Sequence, residues 1–132
     1  MSTFKSFTEI IAWQKARELS KSIYDLTTKG AFARDFSLKD QINRATGSIM
    51  DNIAEGHERG GKNEFVNFLG YSKGSAGETV SQLFRALDRG YITQEQFDTL
   101  RDKAEEVSRM ISSLISYLNS SNIRGIKFKN RV

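Results

Sequence analysis

The chain has 132 residues, the length of a single domain whose core needs no covalent cross-links. It contains no cysteine, which excludes disulfides, thiolate zinc sites and a cysteine nucleophile. Its net charge of +4 comes entirely from four of its 20 basic residues, all beyond position 120, so the neutral body gives weak support to a nucleic-acid surface there.

Apolar residues at helical spacing predict the first two helices, and no proline is present to interrupt them. The first helix follows an apolar start over residues 7–13 and continues through Ala16, Leu19, Ile23 and Leu26. The stretch KGAFARDF interrupts it. Ser37 with Asp40 then resembles a capping arrangement at the start of a second helix, whose apolar positions are Leu38, Ile42, Ala45, Ile49 and Ile53. Gly60-Gly61 ends the second helix.

Two longer helices complete the predicted fold. The third runs from about Lys62 to Arg89, and Gly90 is placed to cap it in a left-handed conformation. Thr93 with Gln96 forms a capping box for the fourth helix. Its apolar stripe is the most regular in the chain: Phe97, Leu100, Ala104, Val107, Ile111, Leu114 and Leu118. We therefore predict an all-α protein, an antiparallel up-and-down four-helix bundle over residues 1–120, followed by a basic, flexible tail over 121–132.

The stretch INRATGSIMDNIAEGHERGG contains the only histidine, His57, close in sequence to Asp51 and Glu55. On a helix, however, the 100° step per residue turns both His57 and Asp51 away from the face of Glu55. A di-iron bundle needs Glu-x-x-His on two helices, and a triad needs Ser and Asp around this histidine, so neither pattern is present. We expect no catalytic, metal-binding or cofactor-binding residues, and an exposed or rim position for His57.

Polar residues instead converge along the border of the core on the second and third helices. Six residues of the second helix share an arc of about 80°, and the third helix carries a matching stripe. We name the following set the polar seam: Gln41, Arg44, Ser48, Asn52, Glu55, Arg59, Ser75 and Glu78. The hairpin about Gly60-Gly61 places Arg44 opposite Glu78, and we predict an ion pair between them that sets the register of the two helices.

Three glycines, Gly70, Gly74 and Gly77, lie inside the third helix, where each costs up to about 1 kcal/mol relative to alanine. Two explanations remain open from the sequence. The glycines allow tight packing inside one bundle, or they allow close approach of another subunit.

The run FSLKDQINRATGSIMDNIAEGHERGGKNEFVNFL, the following GSAGE and AWQKARELSKSIYDLT in the first helix resemble the four-helix-bundle proteins encoded by 23S rRNA intervening sequences. The resemblance covers about residues 5–118. It implies a ring-like homopentamer with no known enzymatic activity. A distantly similar protein acts with reverse transcriptases in diversity-generating retroelements, where a basic pentamer surface engages nucleic acid.

Two functions follow from these observations. The first is a cytoplasmic, non-enzymatic homo-oligomer whose polar seam organises packing or subunit contacts, with no membrane and no small-molecule substrate. The second is an accessory protein that contacts structured RNA or DNA through Arg124, Lys127, Lys129 and Arg131. Five copies of this tail would cluster about 20 positive charges, and their multivalent binding to phosphates would depend steeply on salt.

Overall fold

The computed structural model describes residues 4–120, and this part of the chain contains helices and no strand. A single-turn 3-10 helix over Phe7–Glu9 precedes five α-helices. The α-helices are α1 (Ile11–Thr27), α2 (Gly30–Arg34), α3 (Phe36–Glu58), α4 (Lys62–Asp88) and α5 (Gln94–Ser120). Four of them are long, and the short α2 occupies the stretch KGAFARDF, so the all-α prediction is confirmed.

The four long helices form an up-and-down bundle in which α3 contacts α1 and α4, and α5 contacts α4 and α1. The core is built from the residues that carry the helical period, among them Leu19, Ile49, Leu69 and Ile111, each no more than 1% exposed. Of the apolar stripe predicted in α5, Leu114 alone is only partly buried. These helices position the polar seam along the border between α3 and α4.

The boundary between α4 and α5 is the one that the sequence specifies best. Gly90 has a φ of +76°, and the N–H of Tyr91 donates to the carbonyl of Ala86 at 2.9 Å, which closes the end of α4. Thr93 and Gln96 exchange the two hydrogen bonds of a capping box, at 2.9 and 3.0 Å. Both predicted signals are confirmed.

The start of α3 differs from the prediction. Asp35, rather than Ser37, is the N-cap, because its carboxylate accepts the N–H of Leu38 at 3.1 Å, while Ser37 lies inside the helix. Asp35 also accepts hydrogen bonds from the Tyr91 hydroxyl and from Arg89, at 2.7 and 2.8 Å. The hydrogen bond between Tyr91 and Asp35 is the largest cause of two pKa shifts: it lowers the pKa of Asp35 and raises the pKa of Tyr91. This carboxylate therefore joins the start of α3 to the turn before α5.

Candidate interaction surface on helices α3 and α4

The polar seam follows the border between α3 and α4, and its exposure varies along its length. Ser75 is 8% exposed and Ser48 and Asn52 are partly buried. The other members, which are exposed, are Gln41, Arg44, Glu55, Arg59 and Glu78. Only the middle of the seam is thus packed into the protein, while both ends are open to solvent.

The predicted ion pair between Arg44 and Glu78 is not formed. Arg44 Nε instead donates to Asp40 Oδ2 at 2.9 Å, one turn earlier on the same helix, and its side chain is 80% exposed. An ion pair between residues one helical turn apart needs less ordering of the side chains than a pair between two helices, and both charged groups remain hydrated. Arg44 therefore does not set the register of the hairpin.

The middle of the seam joins the two helices through hydroxyl groups. Ser75 Oγ donates to Ser48 Oγ at 2.9 Å, and Asn52 Nδ2 donates to the same oxygen at 2.9 Å. Just inside this cluster, the fully buried Ser72 donates to the carbonyl of Ile49 at 2.7 Å. The bonds donated by Ser75 and Ser72 cross between facing turns of α3 and α4 and fix the register of the hairpin in place of the predicted ion pair, while the bond from Asn52 lies within α3.

At the turn end of the seam, Arg59 Nη2 donates to Glu55 Oε2 at 2.8 Å, and this hydrogen bond raises the pKa of Arg59. The same guanidinium lies 5.0 Å from the centre of the Phe68 ring. Phe68 meets Tyr71 edge-on at 5.5 Å, and Tyr71 is 61% exposed. Glu55 and Arg59 are thus brought together as predicted members of one stripe, beside an exposed aromatic side chain.

At the opposite end, α3 and α4 enclose a groove with a volume of about 560 Å³. We call it the α3–α4 groove, and its lining consists of Gln41, Arg44, Ala45, Ser48, Glu78, Ser81, Gln82 and Arg85. Arg85 Nη1 bridges the helices by donating to Gln41 Oε1 at 2.9 Å. The Oε1 atom of Gln82 is buried, and it has no hydrogen-bond partner in the described part of the chain.

Gly70, Gly74 and Gly77 form an exposed strip on α4 that we call the glycine face. An added Cβ at any of the three would meet no atom within 4 Å other than those of the α4 backbone and the adjacent residues. Gly56 on α3 behaves in the opposite way, because a Cβ there would lie 2.8 Å from Phe68 Cβ and 3.0 Å from Phe65 Cδ1. Within residues 4–120, tight packing therefore explains Gly56 and does not explain the glycine face.

His57 has a rim position, and its contacts are structural. Its side chain is 11% exposed and lies edge-on to the rings of Phe4 and Phe65, with centroid separations of 6.5 and 6.0 Å. Its Nε2 is 3.4 Å from the carbonyl oxygen of Phe4, and its Nδ1 is 3.3 Å from Glu58 Oε2. The histidine joins the N-terminal segment to the end of α3.

Two further properties bear on the sequence predictions. Among residues 4–120 there is no group of three or more His, Asp or Glu side chains placed to hold a metal ion. None of the helices in the described part is long and apolar enough to cross a bilayer. The basic residues Arg124, Lys127, Lys129 and Arg131 lie outside the described residues.

The predicted polar seam left out three residues of this surface. Gln82 and Arg85 belong to the matching polar stripe that the sequence places on the third helix, but polar residues at helical spacing do not indicate which of them line a groove. Ser72 was missed because one hydroxyl inside an apolar helix face gives no signal of its acceptor. A helical-wheel plot of α4 against α3 would have placed all three on the contact side.

Comparisons with known proteins agree with this architecture. A family model described as "23S rRNA-intervening sequence protein" matches residues 8–113. The chain is also similar to a solved structure from Bacteroides thetaiotaomicron VPI-5482, a protein with unknown function from the S23 ribosomal protein family. The two share 26% identity, the match covers 80% of this chain and 96% of that one, and the TM-score is 0.74. No curated protein matches the chain.

Proposed function

The chain belongs to the 23S rRNA-intervening sequence protein family, and from that premise we propose that it is a non-enzymatic, homo-oligomeric protein that acts as a structural or interaction scaffold. The pentameric ring is the assembly that the sequence resemblance implies. The observation that carries the proposal is the glycine face of α4, which has no packing partner within the described residues of one copy.

The glycine face has an energetic cost within a single copy of the chain. Three glycines in the interior of α4 cost about 2–3 kcal/mol of helix propensity relative to alanine. Such a cost is offset where a missing side chain lets another backbone come close. Apart from the backbone of α4 itself, nothing in the described part of this copy lies within 4 Å of a Cβ at the three positions, which supports a neighbouring subunit as the element that comes close.

The surface beside the glycine face also favours a protein partner over a small substrate. The α3–α4 groove has both charged and uncharged polar walls, but it holds no histidine, and its one carboxylate, Glu78, is exposed. General acid–base catalysis most often uses a histidine, or a carboxylate shielded from solvent, beside the substrate, and the lining of this groove contains neither. Binding is the activity that its chemistry supports.

The test is the mass of the protein in solution. Light scattering after size exclusion, over a hundredfold range of concentration, is expected to give a multiple of 14.9 kDa, with five as the expected number of subunits. A monomer at the highest concentration would remove the oligomeric scaffold from consideration. Because Gly70, Gly74 and Gly77 are exposed, alanine at each position tests the face without disturbing the core.

A second candidate function rests on the distribution of charge. Positions 121–132 carry four basic residues and no acidic one, whereas the rest of the chain is neutral. In an oligomer the tails add their charges on one particle, and multivalency then strengthens the binding of structured RNA or DNA. This candidate depends on the same oligomer, with nucleic acid as its partner.

Fluorescence anisotropy with labelled RNA at two salt concentrations separates this candidate from the scaffold alone. The full chain is expected to bind more tightly at low salt, and deletion of residues 121–132 is expected to abolish the binding. Equal binding by the full and the truncated chain, or no binding by either, would rule out the tail as a nucleic-acid contact.

A further inference from the structure

The α3–α4 groove contains a carboxylate that has no donor among residues 4–120. Glu78 lines the groove and is exposed, and it forms no hydrogen bond or ion pair with any of these residues. An exposed carboxylate can accept hydrogen bonds from a cationic side chain that enters the groove. Glu78 is therefore the acceptor that the groove offers to another molecule.

The edges of the groove carry the opposite charge. Arg44 Nε is bonded to Asp40 and Arg85 Nη1 is bonded to Gln41, so each arginine uses one of its five N–H donors in these contacts. Their remaining donors form no other hydrogen bond with the side chains that line the groove, so they can bond to acceptors of another molecule. A surface that complements the groove would therefore present a cation to Glu78 and an anion on each side of that cation to the two arginines.

The outer face of α1 presents that arrangement. Glu18, Lys21 and Asp25 are spaced by three and four residues, which places them on one side of the helix. All three side chains are exposed, and none forms an ion pair within the described part of the chain. We call them the α1 triplet.

We propose that the α1 triplet of one copy docks in the α3–α4 groove of the next copy. The ammonium group of Lys21 donates to the exposed carboxylate of Glu78. The two carboxylates beside it meet the guanidinium groups at the groove edges. This inference rests on the homo-oligomer proposed above and assigns the surfaces and side chains that hold it together.

The symmetry of this contact has a consequence for the assembly. The triplet and the groove are different surfaces of the same chain, so the contact is heterologous and leaves one free triplet and one free groove on any open chain of subunits. Repetition of the contact produces a closed ring or a filament, and it does not produce a two-fold dimer.

Charge reversal at two exposed positions provides the test. Lys21→Glu and Glu78→Lys each place like charges together, and each is expected to raise the dissociation constant at least tenfold at low salt. The double variant Lys21→Glu/Glu78→Lys restores an attractive pair and is expected to return the constant to within about threefold of the wild type. Lys29→Glu, an exposed change of the same charge outside the triplet, is the control.

Mass measurements on the wild type and these variants, with circular dichroism to check folding, distinguish the outcomes. A monomeric wild type overturns the homo-oligomer itself. An oligomeric wild type whose mass is insensitive to Lys21→Glu overturns the α1 triplet alone. Dissociation by Glu78→Lys without rescue in the double variant assigns the groove to a different segment and equally overturns the pairing.

Discussion

Replacement of Gly70, Gly74 and Gly77 by alanine, together in one variant, separates the stability of the bundle from its assembly. An alanine Cβ at each position meets nothing within 4 Å, so no clash offsets the gain in helix propensity. The gain is about 0.8–1 kcal/mol at each position, or about 2–3 kcal/mol in all. The isolated bundle is therefore expected to melt about 10 °C higher.

The same variant is expected to assemble less well, because three methyl groups would now separate α4 from a neighbouring subunit. Gly47→Ala is the matched control, since Gly47 also lies within a helix with nothing within 4 Å of a Cβ, but on α3 and outside the glycine face. It is expected to gain about 1 kcal/mol without a change of mass.

Light scattering measures the mass of each variant in solution, and urea unfolding measures its free energy of unfolding. A triple variant that is more stable than the wild type and keeps its mass would refute the assignment of the glycine face to a subunit contact. Gly56→Ala completes the set, because its methyl group would lie 2.8 Å from Phe68 Cβ. At Gly56 the overpacking penalty of about 1–3 kcal/mol exceeds the gain in helix propensity, so the free energy of unfolding is expected to fall.

Three other predictions concern contacts within one copy. Ser72→Ala leaves the buried carbonyl of Ile49 without its 2.7 Å donor and is expected to lower the free energy of unfolding by about 1–2 kcal/mol, measured by urea unfolding. The pKa of Asp35 is lowered in the folded state from 3.8, so its contribution to stability is present above that pH and is lost as pH falls through the folded pKa. Asp35→Asn is therefore expected to make the free energy of unfolding depend less on pH in the acid range. An unchanged dependence on pH would contradict this. His57→Ala removes the ring that contacts Phe4 and is expected to speed cleavage of the N-terminal segment by a nonspecific protease, whereas the melting temperature changes little.

The helices were predictable because their apolar residues repeat without competition from proline. The capping box at Thr93 and the left-handed Gly90 were predictable for a related reason, since each depends on residues within one turn. Local signals of this kind fix both the type of an element and its end.

The prediction was wrong where two local partners competed. Arg44 has Asp40 one turn earlier and Glu78 on the next helix, and the spacing of residues alone gives no distance across the hairpin. Asp35 was overlooked as the N-cap because Ser37 offered a capping pattern two residues later. In both places the outcome depends on where the backbone turns, which is information that the tertiary structure adds.

The glycine face illustrates a different limit. Its residues were identified from the sequence, and two explanations were open for them. The space around each Cβ, which depends on the orientation of α4 within the bundle, argues against tight packing inside one copy, and close approach of another subunit stays a prediction.

The three-residue turn between α3 and α4 has a consequence for the order in which the protein folds. Arg59, Gly60 and Gly61 separate the two helices, which share the most extensive helix–helix contact in the described part of the chain. Closing so short a loop costs little chain entropy, so this hairpin is expected to form early and to serve as the template for the remaining helices. Helix α1 then packs between α3 and α5, two helices that are distant from each other in sequence. The α3–α4 groove, which is one of the two surfaces proposed for assembly, would thus exist before the bundle is closed.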